Sequence, residues 1–193
     1  MSKPQRPESI AGGYLCGAIR FTIVFPNPGD WPPESNGVCQ CTMCRKHSGS
    51  LLPQNCGFPA ANVSPPLSSN ASFRTYQSSE GCHRGFCGTC GSPLSIQDGK
   101  EPGVVEINLG TFDEEVLCGR RDEANAWEDE HGRHVPRIGG WGRELGYPGY
   151  HIYTENEIPG VTDGFEGTKY LRDRGSGSGS KGFTGRAGDL EHR

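Results

Sequence analysis

The sequence predicts a mostly β protein, and three observations carry that expectation. Thirty glycines and fifteen prolines interrupt its 193 residues, which leaves little room for long helices. Short segments rich in aromatic and β-branched residues recur between turn signals, while helical periodicity is weak. Several of the cysteines cluster at the spacing of metal knuckles.

Residues 1–10 are expected to form a disordered lead, and residues 11–171 a single domain. "GYLCGAIRFTIVF" (13–25) reads as a strand after a Gly-Gly turn. "NPGDWPPESNG" (27–37) is a loop by its Pro, Gly and Asn content. "VCQCTMCRKHSGS" (38–50) follows, with one short helical turn at 42–47. "FRTYQSS" (73–79) alternates like a strand, and "HRGFCGTCGSPLSIQ" (83–97) reads as a Gly-turned knuckle leading into another. "GVVEINLGTF" (103–112) is the clearest strand, with Val105, Ile107 and Leu109 on one face. Residues 119–149 are charged and Gly-rich and carry Trp127 and Trp141; they read as a long insertion or a flap over an active site. The two tryptophans either line a pocket for an aromatic substrate or pin the flap to the body. "YHIYTENEI" (150–158) returns to strand composition, and 172–193 is a Gly/Ser-rich tail expected to be disordered.

Hydrophobic residues make up 32% of the chain, so the core should be modest and structural metal would help it. The formal charge of −4 argues against nucleic acid as the main partner. No stretch reaches the roughly 20 apolar residues of a membrane span. The N-terminus lacks an apolar signal region, so a cytoplasmic location is expected, with a nuclear one left open. Nine cysteines in such a chain imply reduced thiols rather than a disulfide framework.

The thiols form a pattern: Cys16, then Cys39-x-Cys41-x-x-Cys44, then Cys87-x-x-Cys90-Gly91. Cys39 and Cys41 are too close for an ordinary disulfide in extended chain, and metal ligation suits them better. Zinc takes four donors in a tetrahedron and favours thiolate. A structural site is closed by four protein ligands; a catalytic one keeps a position open, which the triplet Cys39, Cys41 and Cys44 would provide. A redox dithiol shares the Cys-x-x-Cys spacing and is the competing reading.

These segments resemble the glutathione-dependent formaldehyde-activating enzyme family, whose domain also occurs in centromere protein V. The matching pieces are "GYLCGAIRF", "CQCTMCRKHSGS", "RGFCGTCGSPL", "VEINLGTFD" and "HIYTE", in order along residues 12–170. The resemblance implies an Mss4-like fold of small coiled β-sheets around zinc knuckles, with two zinc ions. Cys39, Cys41 and Cys44 would hold a catalytic zinc, and Cys16, Cys87 and Cys90 a structural one. It implies a carbon–sulfur lyase acting on a glutathione or other thiol adduct of an aldehyde, with glutathione as co-substrate. A non-catalytic zinc module for interaction and a thiol redox enzyme are the alternatives.

The chain departs from the family at Tyr14, where a zinc-ligating cysteine is usual; a phenol with a pKa near ~10 is a poor ligand. Cys82 is the first candidate for the fourth structural donor, with Cys39 or water as the others. The 119–149 insertion and "NEIPGV" after "HIYTE" depart as well. Among nearby residues, Arg45 and Lys46 either receive glutathione carboxylates or form a solvated basic turn. His47 either carries a proton or partners a thiolate, or it simply packs. His151 either faces the zinc pocket or is a buried, hydrogen-bonded histidine. Ser48 and Ser50 are expected to cap their turn, and Cys56 and Cys118 to be core or free thiols. Oligomeric state and physiological substrate are not legible in the sequence.

Overall fold

The computed structural model describes residues 6–174 and 181–190. The lead, the tail and the Gly/Ser run of the sequence fall in part on residues 1–5, 175–180 and 191–193, outside the described residues. The chain is mostly β. In order, the strands are β1 (Ser9–Gly13), β2 (Arg20–Val24), β3 (Asn36–Cys39), β4 (Gln54–Pro59), β5 (Val63–Ser64), β6 (Phe73–Ser79), β7 (Cys82–Cys87), β8 (Pro93–Asp98) and β9 (Val104–Asn108). They continue with β10 (Arg120–Arg121), β11 (Trp127–Asp129), β12 (Gly132–His134), β13 (Arg137–Ile138), β14 (Tyr150–Ile152) and β15 (Thr168–Lys169). Short helices α1 (Thr42–Ser48), α2 (Glu114–Cys118) and α3 (Gly142–Gly146) lie between them. Among the described residues, no helix is long and apolar enough to cross a membrane.

Eight strands form the main sheet in the order β15-β14-β3-β4-β9-β8-β7-β6. Its neighbours from β3 to β6 are antiparallel, whereas β14 runs parallel to both β3 and β15. A three-stranded sheet, β1-β2-β5, carries Ile10, Phe21 and Ile23 into a core shared with Phe58, Leu94 and Ile107 of the main sheet. The period of two is plain in β9, where Val105 and Ile107 are buried and their neighbours are not. Edge-to-face ring pairs stitch this core: Phe21–Phe112 at 5.9 Å, Phe58–Phe112 at 6.0 Å and Phe25–Trp31 at 5.0 Å.

Several boundaries differ from the sequence reading, each for a local reason. The strand expected at 13–25 is two strands, because Gly17 adopts φ +72 and the Tyr14 amide donates to the Ile19 carbonyl, folding a hairpin tip around Cys16. β1 begins at Ser9, inside the expected lead, because Ile10 is buried. The strand expected at 150–158 stops at Ile152, where Tyr153 turns into the left-handed region at φ 57. Within the expected tail, Phe183 bridges back to Lys169 and Arg186 pairs with Asp163 at 3.5 Å.

The 119–149 segment forms two small hairpins, β10–β13 and β11–β12, followed by α3. Trp141 packs edge-to-face on Trp31 at 5.2 Å, and Leu145 is fully buried in the core. Trp127 instead stacks on His134 at the surface. The Leu145 carbonyl accepts from Asn36 at 2.6 Å, and Gln54 donates to the Gly146 carbonyl at 2.8 Å. One end of the segment is therefore pinned to the body. Leu145→Ala should cost about 2–5 kcal/mol in urea unfolding; a change within ~0.5 kcal/mol would mean that α3 is a loose flap after all.

Candidate metal centres

Two groups of three thiols form, each with its sulfurs within 4.8 Å of one another: Cys39, Cys41 and Cys44, and Cys16, Cys87 and Cys90. Among the described residues, neither group contains a fourth His, Cys, Asp or Glu.

The first group is assembled at the end of β3. Cys39 closes the strand, Gln40 donates its amide to the Ile152 carbonyl at 2.9 Å, and the chain then turns into α1. Cys41 is the helix N-cap, and its sulfur accepts the Cys44 N–H at 3.3 Å. The helix ends at Gly49 with φ +70, a conformation that suits glycine, and Ser48 and Ser50 bond within this turn as expected. Parallel pairing of β14 with β3 sets Ile152 opposite Cys39, and Ile152 and Tyr153 pack on the group. Hydrogen bonding from Cys39 and then Cys44 pulls the Cys41 thiol far below its ordinary range, and the same contacts push Cys39 up. The three sulfurs therefore titrate as one coupled group.

The second group joins the β1–β2 hairpin tip to the turn after β7. The Gly91 amide closes the turn on the Cys87 carbonyl at 2.8 Å with φ +75, and the Thr89 amide donates to the Cys87 sulfur at 3.4 Å. Cys16 and Cys87 sulfurs are 3.7 Å apart. That is close to the edge, about 3.8 Å, of a tetrahedron with metal–sulfur bonds of about 2.3 Å. Tyr14 is buried beside this group, and its hydroxyl has no hydrogen-bond partner. Burial, and then the charges of Cys87 and Cys90, raise its pKa. Burial therefore favours the neutral phenol of Tyr14. The donor chemistry and spacing of both groups fit a thiolate-bound divalent ion.

Cys82 is not the missing donor. It packs with Cys39, Cys41 and Cys44 instead. The reason is strand parity: Cys82 and Cys87 lie five residues apart on β7, and an odd separation points them to opposite faces. Cys39 likewise belongs to its own triad alone. Arg84, an even step from Cys82, is buried on the same face, with both terminal nitrogens 3.6 Å from the Cys44 sulfur. The sequence reading missed it, although the same parity would have found it.

The remaining expected residues divide. His47 lies on α1 one turn after Cys44, half-buried, with Nε2 unpartnered; burial, then the charge of Arg84, lowers its pKa and keeps the ring neutral. His151 does not reach the thiols. It is buried against Gly167, and its Nε2 donates to the Glu166 carbonyl at 3.0 Å, so it is the buried, bonded histidine. Arg45 is engaged by the Asn156 carbonyl at 2.6 Å, Gln40 at 3.1 Å and the Leu51 carbonyl at 3.3 Å through Nε and one terminal nitrogen. Lys46 is exposed. Cys56 is a core thiol and Cys118 an exposed one. A cleft of about 1010 Å³ lies alongside, lined by Tyr14, Arg20, Ser48, Gln54, Ser92 and Asp113 among others, but by none of the six sulfurs and no residue of 119–149.

In zinc-loaded protein, Cys82→Ser should leave Cys16, Cys87 and Cys90 shielded from alkylation, as read by peptide mass mapping. Cys87→Ser should expose Cys16 and Cys90. Exposure of the trio in Cys82→Ser would return Cys82 to that group.

No curated protein matches the chain. A Rhodobacter sphaeroides protein of known crystal structure is similar at 19% identity and a TM-score of 0.41, covering 54% of this chain and 89% of its own. The family described as glutathione-dependent formaldehyde-activating enzyme matches residues 9–130, which hold both thiol groups and the strands that build them, and the chain belongs to that family.

Proposed function

We propose that the protein is a zinc-dependent enzyme that joins a thiol, glutathione or a relative, to a small aldehyde, or runs that reaction backwards as a carbon–sulfur lyase. The observation that carries this reading is the Cys39, Cys41 and Cys44 group: three convergent sulfurs and no fourth protein donor among the described residues. Zinc bound there would supply Lewis acidity and favour the ionised form of a thiol at the open position. Cys16, Cys87 and Cys90 would hold a second zinc that fastens the hairpin tip to the knuckle.

The chain's own residues then have defined tasks. Tyr153 and Ile152 cover the Cys39 side and keep water from it. His47, neutral and one helical turn from Cys44, would take the thiol proton. The sulfur bonds to the aldehyde carbon, the carbonyl π bond opens onto oxygen, and that oxygen regains a proton. The reverse direction breaks the same carbon–sulfur bond. Lys46, exposed on α1, would meet a carboxylate of the thiol.

With glutathione and formaldehyde, the wild type should form the hydroxymethyl thioether faster than the uncatalysed mixture. A folded Cys41→Ser/Cys44→Ser variant should lose that acceleration, the adduct being followed by NMR. Equal rates for the two proteins would sink the mechanism, and an inert wild type holding two closed zinc sites would favour the interaction module.

A further inference from the structure

Arg84 is an unusual expenditure of buried charge. Its side chain is 95% withdrawn from solvent, at 5% exposure. The guanidinium is held from one side by the Ser78 hydroxyl, which accepts from Nε at 2.9 Å. Its other two nitrogens both meet the Cys44 sulfur, each at 3.6 Å. No carboxylate of the described residues comes within ion-pair distance of it. Burying a guanidinium is costly unless an opposite charge answers it, and Arg keeps its charge whatever the pH. The group in direct contact with it is the Cys44 sulfur, with Cys82 and Cys41 beyond; the carboxyl of Glu106 lies on the same sheet face but two strands away, and it makes no direct pair with Arg84.

A divalent cation on three thiolates carries one net negative charge. We propose that Arg84 is the counter-charge of the Cys39, Cys41 and Cys44 centre, neutralising the loaded site and thereby setting its affinity for the metal. Arg84 is thus a positioning residue: it touches a ligand sulfur and acts through it. The fork of two nitrogens on one sulfur also fixes where Cys44 points, as partners beyond the ligands commonly do. Among the described residues, no cation bonds a sulfur of Cys16, Cys87 or Cys90; the nearby Arg74 directs its guanidinium to the Ala71 and Phe73 carbonyls instead. The neighbour of this group is the neutral phenol of Tyr14, and Cys16 is exposed, so water can screen its charge. The two centres therefore differ in how their charge is balanced. The inference rests on the proposed metal at the first centre.

The test uses the full chain loaded with zinc and a graded series of chelator. Metal content is read by native mass spectrometry, and alkylation mapping identifies which cysteines are released at each step. Arg84→Met should weaken retention at Cys39, Cys41 and Cys44 by about 10–100-fold, while release of Cys16, Cys87 and Cys90 stays where it is in the wild type. Arg84→Lys, which keeps the charge but not the fork, should lose less than Arg84→Met. Should Arg84→Met not fold, Arg84→Gln takes its place. Equal weakening at both centres would mean general destabilisation, and no weakening, or a Lys variant as poor as Met, would mean that charge is not the cause. Each of those outcomes overturns the proposal. A wild type that retains zinc only at Cys16, Cys87 and Cys90 overturns the metal reading of the first centre and this inference with it.

Discussion

Along β7, successive side chains point to opposite faces of the eight-stranded sheet, and both thiol centres depend on that alternation. Cys87 faces the core, where the β1–β2 hairpin brings Cys16 to within 3.7 Å of it. Cys82 and Arg84 face the other way, toward the sulfurs at the end of β3. A shift of one residue along this strand would exchange the two sets and dismantle both centres. β7 is held against such a shift by ladders on both sides, to β6 and to β8.

The two centres use similar donors in different surroundings. The first is compressed into one turn of chain, so the close sulfurs compete for charge and need a partner of opposite sign nearby. Burial under Ile152 and Tyr153 makes that need sharper, because charge is poorly screened away from water. The second is gathered from two distant segments, so its value to the fold is greater: a metal there would close a long loop between the hairpin tip and the knuckle.

Much of this was legible in the residues. The Cys-x-Cys-x-x-Cys and Cys-x-x-Cys-Gly spacings are local, and local geometry alone brings those sulfurs together. The face formed by Val105, Ile107 and Leu109 followed from period-two patterning and is buried as expected. For Arg45 and His151 the residues left two readings open, because their hydrogen bonds are decided by a segment over a hundred residues away and by the loop at Glu166. Cys82 was misjudged by nearness in sequence, which in a strand matters less than odd or even separation.

Turn chemistry, alternation and close spacing made the mostly β class, a short helical turn at 42–47, both cysteine knuckles and the family readable from the residues alone, and the helix runs one residue further, to Ser48. Only the tertiary structure decided which partners surround them. Parallel pairing of β14 with β3 laid Tyr153 and Ile152 over Cys39, the arrangement of β7 set Arg84 on Cys44, and packing of Trp141 and Leu145 tied the 119–149 segment to the core. Those contacts join residues far apart in the chain, and no local preference encodes them.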